Sequence, residues 1–88
     1  PSLAAMQEKT GEPRVVFHLA GGSSVGASLA NPVDDFTATV ANTAILLEWL
    51  RKSAPAARLV VVSSAVVYGD IHAGPIGEEA ATNPYSPY

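Results

Sequence analysis

Two short apolar runs separated by an amphipathic stretch constrain the fold of this chain more than any other feature. The runs "RVVFHLA" (residues 14–20) and "RLVVVS" (residues 58–63) are rich in β-branched and aliphatic residues, which is typical of buried strands. Between them, residues 31–52 carry apolar side chains at intervals of three or four, which predicts a helix of about 20 residues. Strand, helix and strand in this order predict a βαβ unit with parallel strands and a right-handed crossover.

The central helix has clear start and stop signals. Asn31 can cap it, Pro32 suits its first position, and Asp34 and Asp35 complement the helix dipole in the first turn. Pro55 ends it. The apolar positions form one continuous face that Ile45, Leu46 and Trp49 widen: Val33, Phe36, Val40, Ala44 and Leu47. We therefore expect this helix to be covered on more than one side, and both faces of the sheet to be covered by helices.

The remaining segments are less regular. Residues 2–9 are compatible with a helix that ends at Thr10-Gly11. The stretch of residues 21–30 reads as a loop that leads to the central helix. After Gly69 the pattern gives way to proline, glycine and polar residues, which predicts a long surface loop up to Tyr88.

Composition excludes several classes of protein. The 88 residues allow one domain at most, and 48% of them are hydrophobic, which is enough for a folded chain. A net charge of −3 with only 5 Lys and Arg argues against binding to nucleic acid. No apolar run approaches the ~20 residues of a membrane span, and the absence of cysteine suits a reducing compartment. We expect a cytoplasmic protein without a membrane or nucleic-acid partner.

The glycines after the first strand suggest a ligand-binding edge of the sheet, but not a loop that binds a nucleoside triphosphate. Gly21 and Gly26 have the spacing of a phosphate-binding loop, but Ala27 stands where that loop requires lysine. A flexible turn, or small residues that let a cofactor lie against the sheet edge, are the alternatives. Parallel strands bring their carboxyl ends together, so Gly21-Gly22 and Ser63-Ser64 should lie side by side where ligands of open α/β sheets bind.

Polar residues elsewhere fit ordinary structural roles. His18 alternates with apolar residues in the first strand, which favours a hydrogen-bonded core histidine, and we assign no metal site. Ser63 and Ser64 follow a fully apolar run without an intervening turn, and no Gly-x-Ser-x-Gly elbow surrounds them. One alternative is that these serines have only a structural role and form hydrogen bonds to the next loop. The other alternative is that a serine hydroxyl orients a substrate oxygen while a tyrosine, Tyr68 or Tyr88, exchanges a proton with the substrate.

At this point the chain resembles a known family. The segments "VFHLAGGSSV", "NPVDDFTATVANTAILLEWLR", "RLVVVSSAVVYGD" and "PYSPY" occur in the order of the extended short-chain dehydrogenase/reductases, over roughly residues 13–88. Among these enzymes they are most similar to the NAD-dependent epimerases and dehydratases that act on nucleotide sugars. The resemblance implies an α/β fold, part of a Rossmann-type doubly wound parallel sheet that forms three αβα layers in the parent protein.

The resemblance also implies a site. Leu19, Ala20, Gly21 and Ser23 would line the dinucleotide, NAD or NADP, and Val62 and Ser63 would lie beside its nicotinamide. Ser64 would bond the reacting sugar oxygen. Tyr88 matches the tyrosine of the Tyr-x-x-x-Lys motif, so it would contact the cofactor and act as the acid/base. The implied partner is a nucleotide sugar, and we expect the parent to be a homodimer.

Departures from the family pattern limit what this chain can do alone. Thr39, Asn42 and Thr43 stand where the family helix often has Asn-x-x-Gly-Thr. The glycine-rich fingerprint is absent, and the motif lysine would fall at position 92. We therefore expect residues 1–88 to be an inactive central fragment that lacks the N-terminal glycine-rich βαβ unit and the C-terminal substrate domain. A carbonyl or steroid-type reductase and a non-catalytic binding module are the alternatives, and a lysine at position 92 would favour an enzyme.

Overall fold

A parallel two-stranded sheet lies at the centre of the computed structural model, which describes residues 2–22 and 24–88. Strand β1 (Val15–His18) pairs with strand β2 (Arg58–Val61), with Val15 opposite Arg58 and His18 opposite Val61. The predicted parallel pairing is confirmed. Both strands stop earlier than their apolar runs, because the backbone bond from Val62 N to His18 O (3.3 Å) is the last to join the two.

Helices connect and flank the strands in the expected order. Helix α1 (Leu3–Thr10) is capped by the Ser2 hydroxyl, which accepts a hydrogen bond from Ala5 N, and it ends at Gly11 in a positive-φ conformation. This confirms the predicted N-terminal helix. The other helical elements in chain order are α2 (Val25–Ala30), α3 (Pro32–Phe36), a π-helical turn (Thr37–Ala41), α4 (Asn42–Ser53) and a 3₁₀ turn (Ala65–Tyr68).

Two of these helical elements correct the sequence prediction. Residues 25–30 form α2 instead of a loop, because the Ser24 hydroxyl accepts from Ala27 N (3.2 Å) and caps the first turn. Gly26 within it weakened the helical pattern. The 3₁₀ turn was also not predicted, and it begins directly after Ser64. Both segments are too short for periodicity to identify them.

The central helix is continuous but not uniform. Pro32 occupies its first turn with Asp34 and Asp35, as predicted. The Asn31 side chain makes no capping bond, which corrects the expected cap; its backbone carbonyl accepts from Asp35 N instead. Between α3 and α4 the backbone widens into the π-helical turn, a feature that often marks functional sites.

The buried core lies between α4 and one face of the sheet. Leu46, Leu50 and Ala54 are its buried members, and Val16 and Leu59 of the two strands pack against them. The expectation that both sheet faces and more than one side of the helix are covered is wrong for this chain. Phe17 on the opposite sheet face is 67% exposed and Val33 on the helix is 74% exposed. One helical layer can cover only one face of the sheet, so the other apolar surfaces remain open.

Exposed ion pairs lie on the last turns of α4. Arg51 and Lys52 both contact Glu48, at 2.7 and 2.9 Å, and these hydrogen bonds lower the pKa of Glu48 to about 2. All three side chains are about half exposed or more, and water therefore screens the ion pairs. They contribute little to the stability of the helix and lie outside the cavities described below.

The segment that follows the 3₁₀ turn contains neither helix nor strand, as predicted. It is nevertheless attached to the rest of the chain, because Asn83 N donates to Val67 O (2.9 Å). His72 Nε2 donates to Ala81 O (2.7 Å) and closes the loop on itself. In the part of the chain that the structure describes, no helix has the length and apolar character needed to cross a bilayer.

Candidate functional site at the carboxyl edge of the sheet

A cleft of about 200 Å³ lies where the two strands end. Leu19, Ala20, Gly21 and Gly22, which follow β1, form one wall. Val62, Ser63 and Ser64, which follow β2, form the other, and the helix contributes Thr39 while the C-terminal segment contributes Tyr88. Parallel pairing accounts for this meeting of distant residues, because it directs both strand ends to the same edge.

The cleft brings together nearly all of the residues that the sequence singled out. Leu19, Ala20, Gly21, Val62, Ser63, Ser64 and Tyr88 all line it; Ser23 lies outside the described residues. The residues that were not assigned to the site are Gly22 and Thr39. The departure of Thr39 from the asparagine of the family motif was the signal that could have identified it.

Ser64 is held by the turn that it starts. Its backbone is extended, and its hydroxyl oxygen accepts a hydrogen bond from Val66 N (3.3 Å), which caps the 3₁₀ turn. Accepting this bond leaves the hydroxyl hydrogen free to be donated elsewhere. The half-buried Ser64 therefore faces the cleft with a donor that its structural role does not use.

Gly22 packs closely against the side chains of Asp35 and Thr39 in the central helix. A Cβ atom at this position would lie 1.9 Å from Asp35 Oδ1 and 3.3 Å from Thr39 Oγ1. The Gly22 N–H donates to Thr39 Oγ1 at 2.7 Å, a short bond between residues 17 positions apart. A side chain at this position would therefore force the Asp35 side chain or the backbone after β1 to move, although the φ of Gly22 is not positive.

His18 is a hydrogen-bonded, half-buried histidine, as predicted. Its Nε2 lies 2.8 Å from Thr43 Oγ1, and the Thr43 hydroxyl also contacts the carbonyl of Thr39. A carbonyl can only accept, so the single hydroxyl hydrogen of Thr43 goes to Thr39, and His18 Nε2 must carry the hydrogen of the other bond. His18 is thereby fixed against the helix, and it does not line the cleft.

The two candidate tyrosines have different surroundings. Tyr88 lines the cleft and is 37% exposed. The ring of Tyr68 instead makes an edge-to-face contact with His72, with ring centroids 6.1 Å apart, and does not line the cleft. Of the two tyrosines left open by the sequence, Tyr88 is the one that lies in the cleft with Ser64.

A larger cavity of about 710 Å³ lies at the opposite edge of the sheet. Glu12, Pro13, Arg14 and Arg58 line it where the two strands begin. Ligands of open α/β sheets bind at the carboxyl ends of strands, and no hydroxyl or phenol lines this cavity. Size alone therefore does not identify the site, and the smaller cleft is the candidate.

Comparisons with known proteins agree with this fold. The chain is 42% identical over 80 residues to a UDP-glucose 4-epimerase from Dictyostelium discoideum, an alignment that covers 88% of this chain and 23% of the relative. It is 39% identical over 77 residues to the UDP-glucose 4-epimerase of Bacillus subtilis, covering 84% of this chain and 22% of the relative. The chain thus spans about a quarter of the length of the curated relatives it matches.

A solved structure has the same fold. It is the crystal structure of a UDP-glucose 4-epimerase from Stenotrophomonas maltophila with bound NAD and formylated UDP-arabinopyranose. It matches 97% of this chain and 25% of its own length with a TM-score of 0.84 and 33% identity. The α/β, Rossmann-type fold that the sequence predicted is confirmed. The model of the GDP-mannose 4,6 dehydratase family matches residues 3–88. The chain therefore belongs to this family of NAD-dependent epimerases and dehydratases, as its motifs predicted.

Proposed function

We propose that residues 1–88 are the central part of an NAD-dependent nucleotide-sugar epimerase whose substrate is a UDP-linked sugar. The observation that carries the proposal is the cleft at the carboxyl edge, which contains both Ser64 and Tyr88. The relatives named above are UDP-glucose 4-epimerases, and the similar crystal structure contains NAD with a UDP-sugar. These names support a UDP-sugar over other nucleotide sugars and NAD over NADP.

The residues present fit one end of the cofactor. The cleft of about 200 Å³ is smaller than the ~300–1,000 Å³ of complete small-molecule sites. It suits a nicotinamide ring packed on Leu19 and Val62, with Ala20 and Gly21 allowing close approach to the backbone. When bound there, the cofactor would supply a reversible hydride acceptor for the sugar carbon. The rest of the dinucleotide would need the glycine-rich unit that these 88 residues lack.

Ser64 and Tyr88 would handle the proton and the sugar oxygen. The Ser64 hydroxyl keeps its hydrogen while it caps the 3₁₀ turn, so it can donate to the reacting oxygen and orient it. Tyr88 would take the proton of the sugar hydroxyl during oxidation and return it during reduction. A positioned acid/base of this kind contributes roughly 10²–10⁴ in rate.

Replacement of Tyr88 in the full-length protein tests the proposal. We expect Tyr88→Phe to lower the turnover of UDP-galactose to UDP-glucose by about 10²–10⁴-fold with little change in folding, because only the phenolic oxygen is removed. Tyr85→Phe is the matched control: this tyrosine is three positions away, 62% exposed and outside the cleft, so its loss should leave turnover unchanged. Near-normal turnover in Tyr88→Phe would refute the assignment.

The whole protein, rather than residues 1–88, is proposed to be the active form. The chain has no glycine-rich fingerprint and would need a lysine at position 92 to complete the tyrosine motif. We expect residues 1–88 alone to show no turnover. We also expect the whole protein to be cytoplasmic and to act without a membrane or nucleic-acid partner; the net charge of −3 on residues 1–88 does not favour nucleic acid.

We further propose that the full-length protein is a homodimer. An apolar stripe runs along the exposed side of the central helix: Val33, Phe36, Val40 and Leu47 are 74%, 57%, 50% and 48% exposed. Contiguous exposed apolar residues on a helix mark an interaction surface. Sedimentation of the full-length protein should give a dimer, and Phe36→Asp should give a monomer. A monomeric unmodified protein at micromolar concentration would contradict this proposal.

A further inference from the structure

We infer that Thr39 is a positioning residue, which holds the Gly21-Gly22 wall of the cleft in the shape that the cofactor requires. This inference rests on the proposed function, because it assigns a role in NAD binding. It concerns the position where this chain departs from the asparagine of the family motif. The motif departure marks the position, and the structure adds which atoms the threonine contacts.

The contacts of Thr39 place it against both glycines. Its Oγ1 accepts the Gly22 N–H at 2.7 Å, and it would lie 3.4 Å from a Cβ atom on Gly21. Thr39 also lines the cleft together with Ser64 and Tyr88. The same side chain therefore touches the β1 wall of the cleft and faces its interior.

Thr39 lies in the π-helical turn and contacts the end of β1, unlike its neighbour in the same turn. Thr37, two residues earlier in the same turn, is exposed and donates its hydroxyl hydrogen to Val33 O, as threonines in helices commonly do. Thr39 instead bonds across to Gly22. One turn later, Thr43 bonds to His18, the last residue of β1. The helix thus holds β1 and the segment after it at two points, four residues apart on its own surface.

Loss of the Thr39 hydroxyl would leave the Gly22 N–H without its partner. The half-buried amide would then shift toward other acceptors, and the wall formed by Ala20, Gly21 and Gly22 would move with it. A wall displaced in this way binds the nicotinamide less well, whereas Ser64 and Tyr88 remain in place. The expected signature is weaker cofactor binding with preserved chemistry at saturation.

The test is NAD binding to the full-length, cofactor-free protein by calorimetry. We expect Thr39→Val to raise the Kd for NAD about tenfold, while kcat at saturating NAD changes less than threefold. Hydrogen exchange of the Gly22 amide should become faster in the same variant without any cofactor present. Thr39→Ser keeps the hydroxyl and should restore both values.

Thr37→Val is the matched control, because it removes a hydroxyl from the same π-helical turn that does not touch the cleft. It should leave the Kd and the Gly22 exchange rate unchanged. Unmodified protein that binds NAD while Thr39→Val binds equally well would overturn this inference and leave the proposed function intact. Unmodified protein that does not bind NAD would overturn the proposed function and this inference with it. If Thr37→Val weakened NAD binding as much as Thr39→Val, the effect would not depend on the bond to Gly22, and this inference would also be overturned.

Discussion

The two strand ends that form the cleft are held in different ways. After β1, the Gly22 amide bonds to Thr39, 17 residues along the chain, and His18 bonds to Thr43, 25 residues along. After β2, the Ser64 hydroxyl bonds to Val66, only two residues along. The first end is shaped by the packing of the helix against the sheet, and the second by its own local turn.

Because of this difference, one wall of the candidate site sets the shape of the cleft and the other carries its hydroxyl group. The β1 wall contributes small residues without titratable groups, and its shape depends on tertiary contacts. The β2 wall contributes the hydroxyl, and a local cap presents it. Changes at the β1 end should therefore alter folding and cofactor binding together, whereas changes at the β2 end should alter turnover with a small effect on stability.

Among changes at the two strand ends, the largest effect is expected from Ser64→Ala in the full-length protein. If Ser64 donates to the reacting oxygen as proposed, its removal should lower turnover by about 10²–10³-fold. The lost cap of the 3₁₀ turn should cost only about 1 kcal/mol in the free energy of unfolding. Steady-state kinetics and chemical denaturation measure the two effects separately.

Ser24→Ala is the matched control for Ser64→Ala. Ser24 caps α2 through Ala27 N as Ser64 caps the 3₁₀ turn, but it does not line the cleft. Its loss should cost a similar free energy of unfolding and leave turnover unchanged. Equal losses of turnover in both variants would mean that the Ser64 hydroxyl acts only as a cap, and the separation of chemistry from geometry would fail.

A smaller effect, on stability, is expected from Gly22→Ala. The new methyl group would lie 1.9 Å from the buried Asp35 carboxylate, so the side chain or the β1 wall must move. Overpacking of this kind typically costs about 1–3 kcal/mol in the free energy of unfolding. Chemical denaturation should detect it, and NAD binding should weaken in parallel if the β1 wall shifts.

The smallest effect is expected from Gly26→Ala, which serves as the control for Gly22→Ala. A Cβ atom at Gly26 would meet no atom within 4 Å, and this residue lies inside helix α2. Alanine favours a helix over glycine by about 1 kcal/mol or less, so stability should rise slightly. If Gly22→Ala were equally harmless, the β1 end would not depend on contact with the helix, and the comparison between the two ends would be wrong.

Much of the candidate site could be predicted from the sequence, but not its anchoring. The motifs identified Ser64, Tyr88 and the residues after β1 because short segments with fixed composition carry these signals. The sequence places Gly22 at the ligand edge but does not predict its hydrogen bond to Thr39, because that bond depends on how the helix lies against the sheet. The capped helix α2 was read as a loop for a different reason: Gly26 interrupts a segment of only six residues.

By itself, the sequence determined the βαβ order, the parallel pairing, the family, and which residues follow each strand. These properties come from periodicity, turn residues and motifs, which act over a few neighbouring positions. Only the tertiary structure decided the π-helical turn, the Thr39–Gly22 bond, the position of Tyr88 in the cleft, and which apolar faces stay exposed. Such features depend on contacts between residues far apart in the chain, and the pattern of one segment does not report which distant surface it will meet.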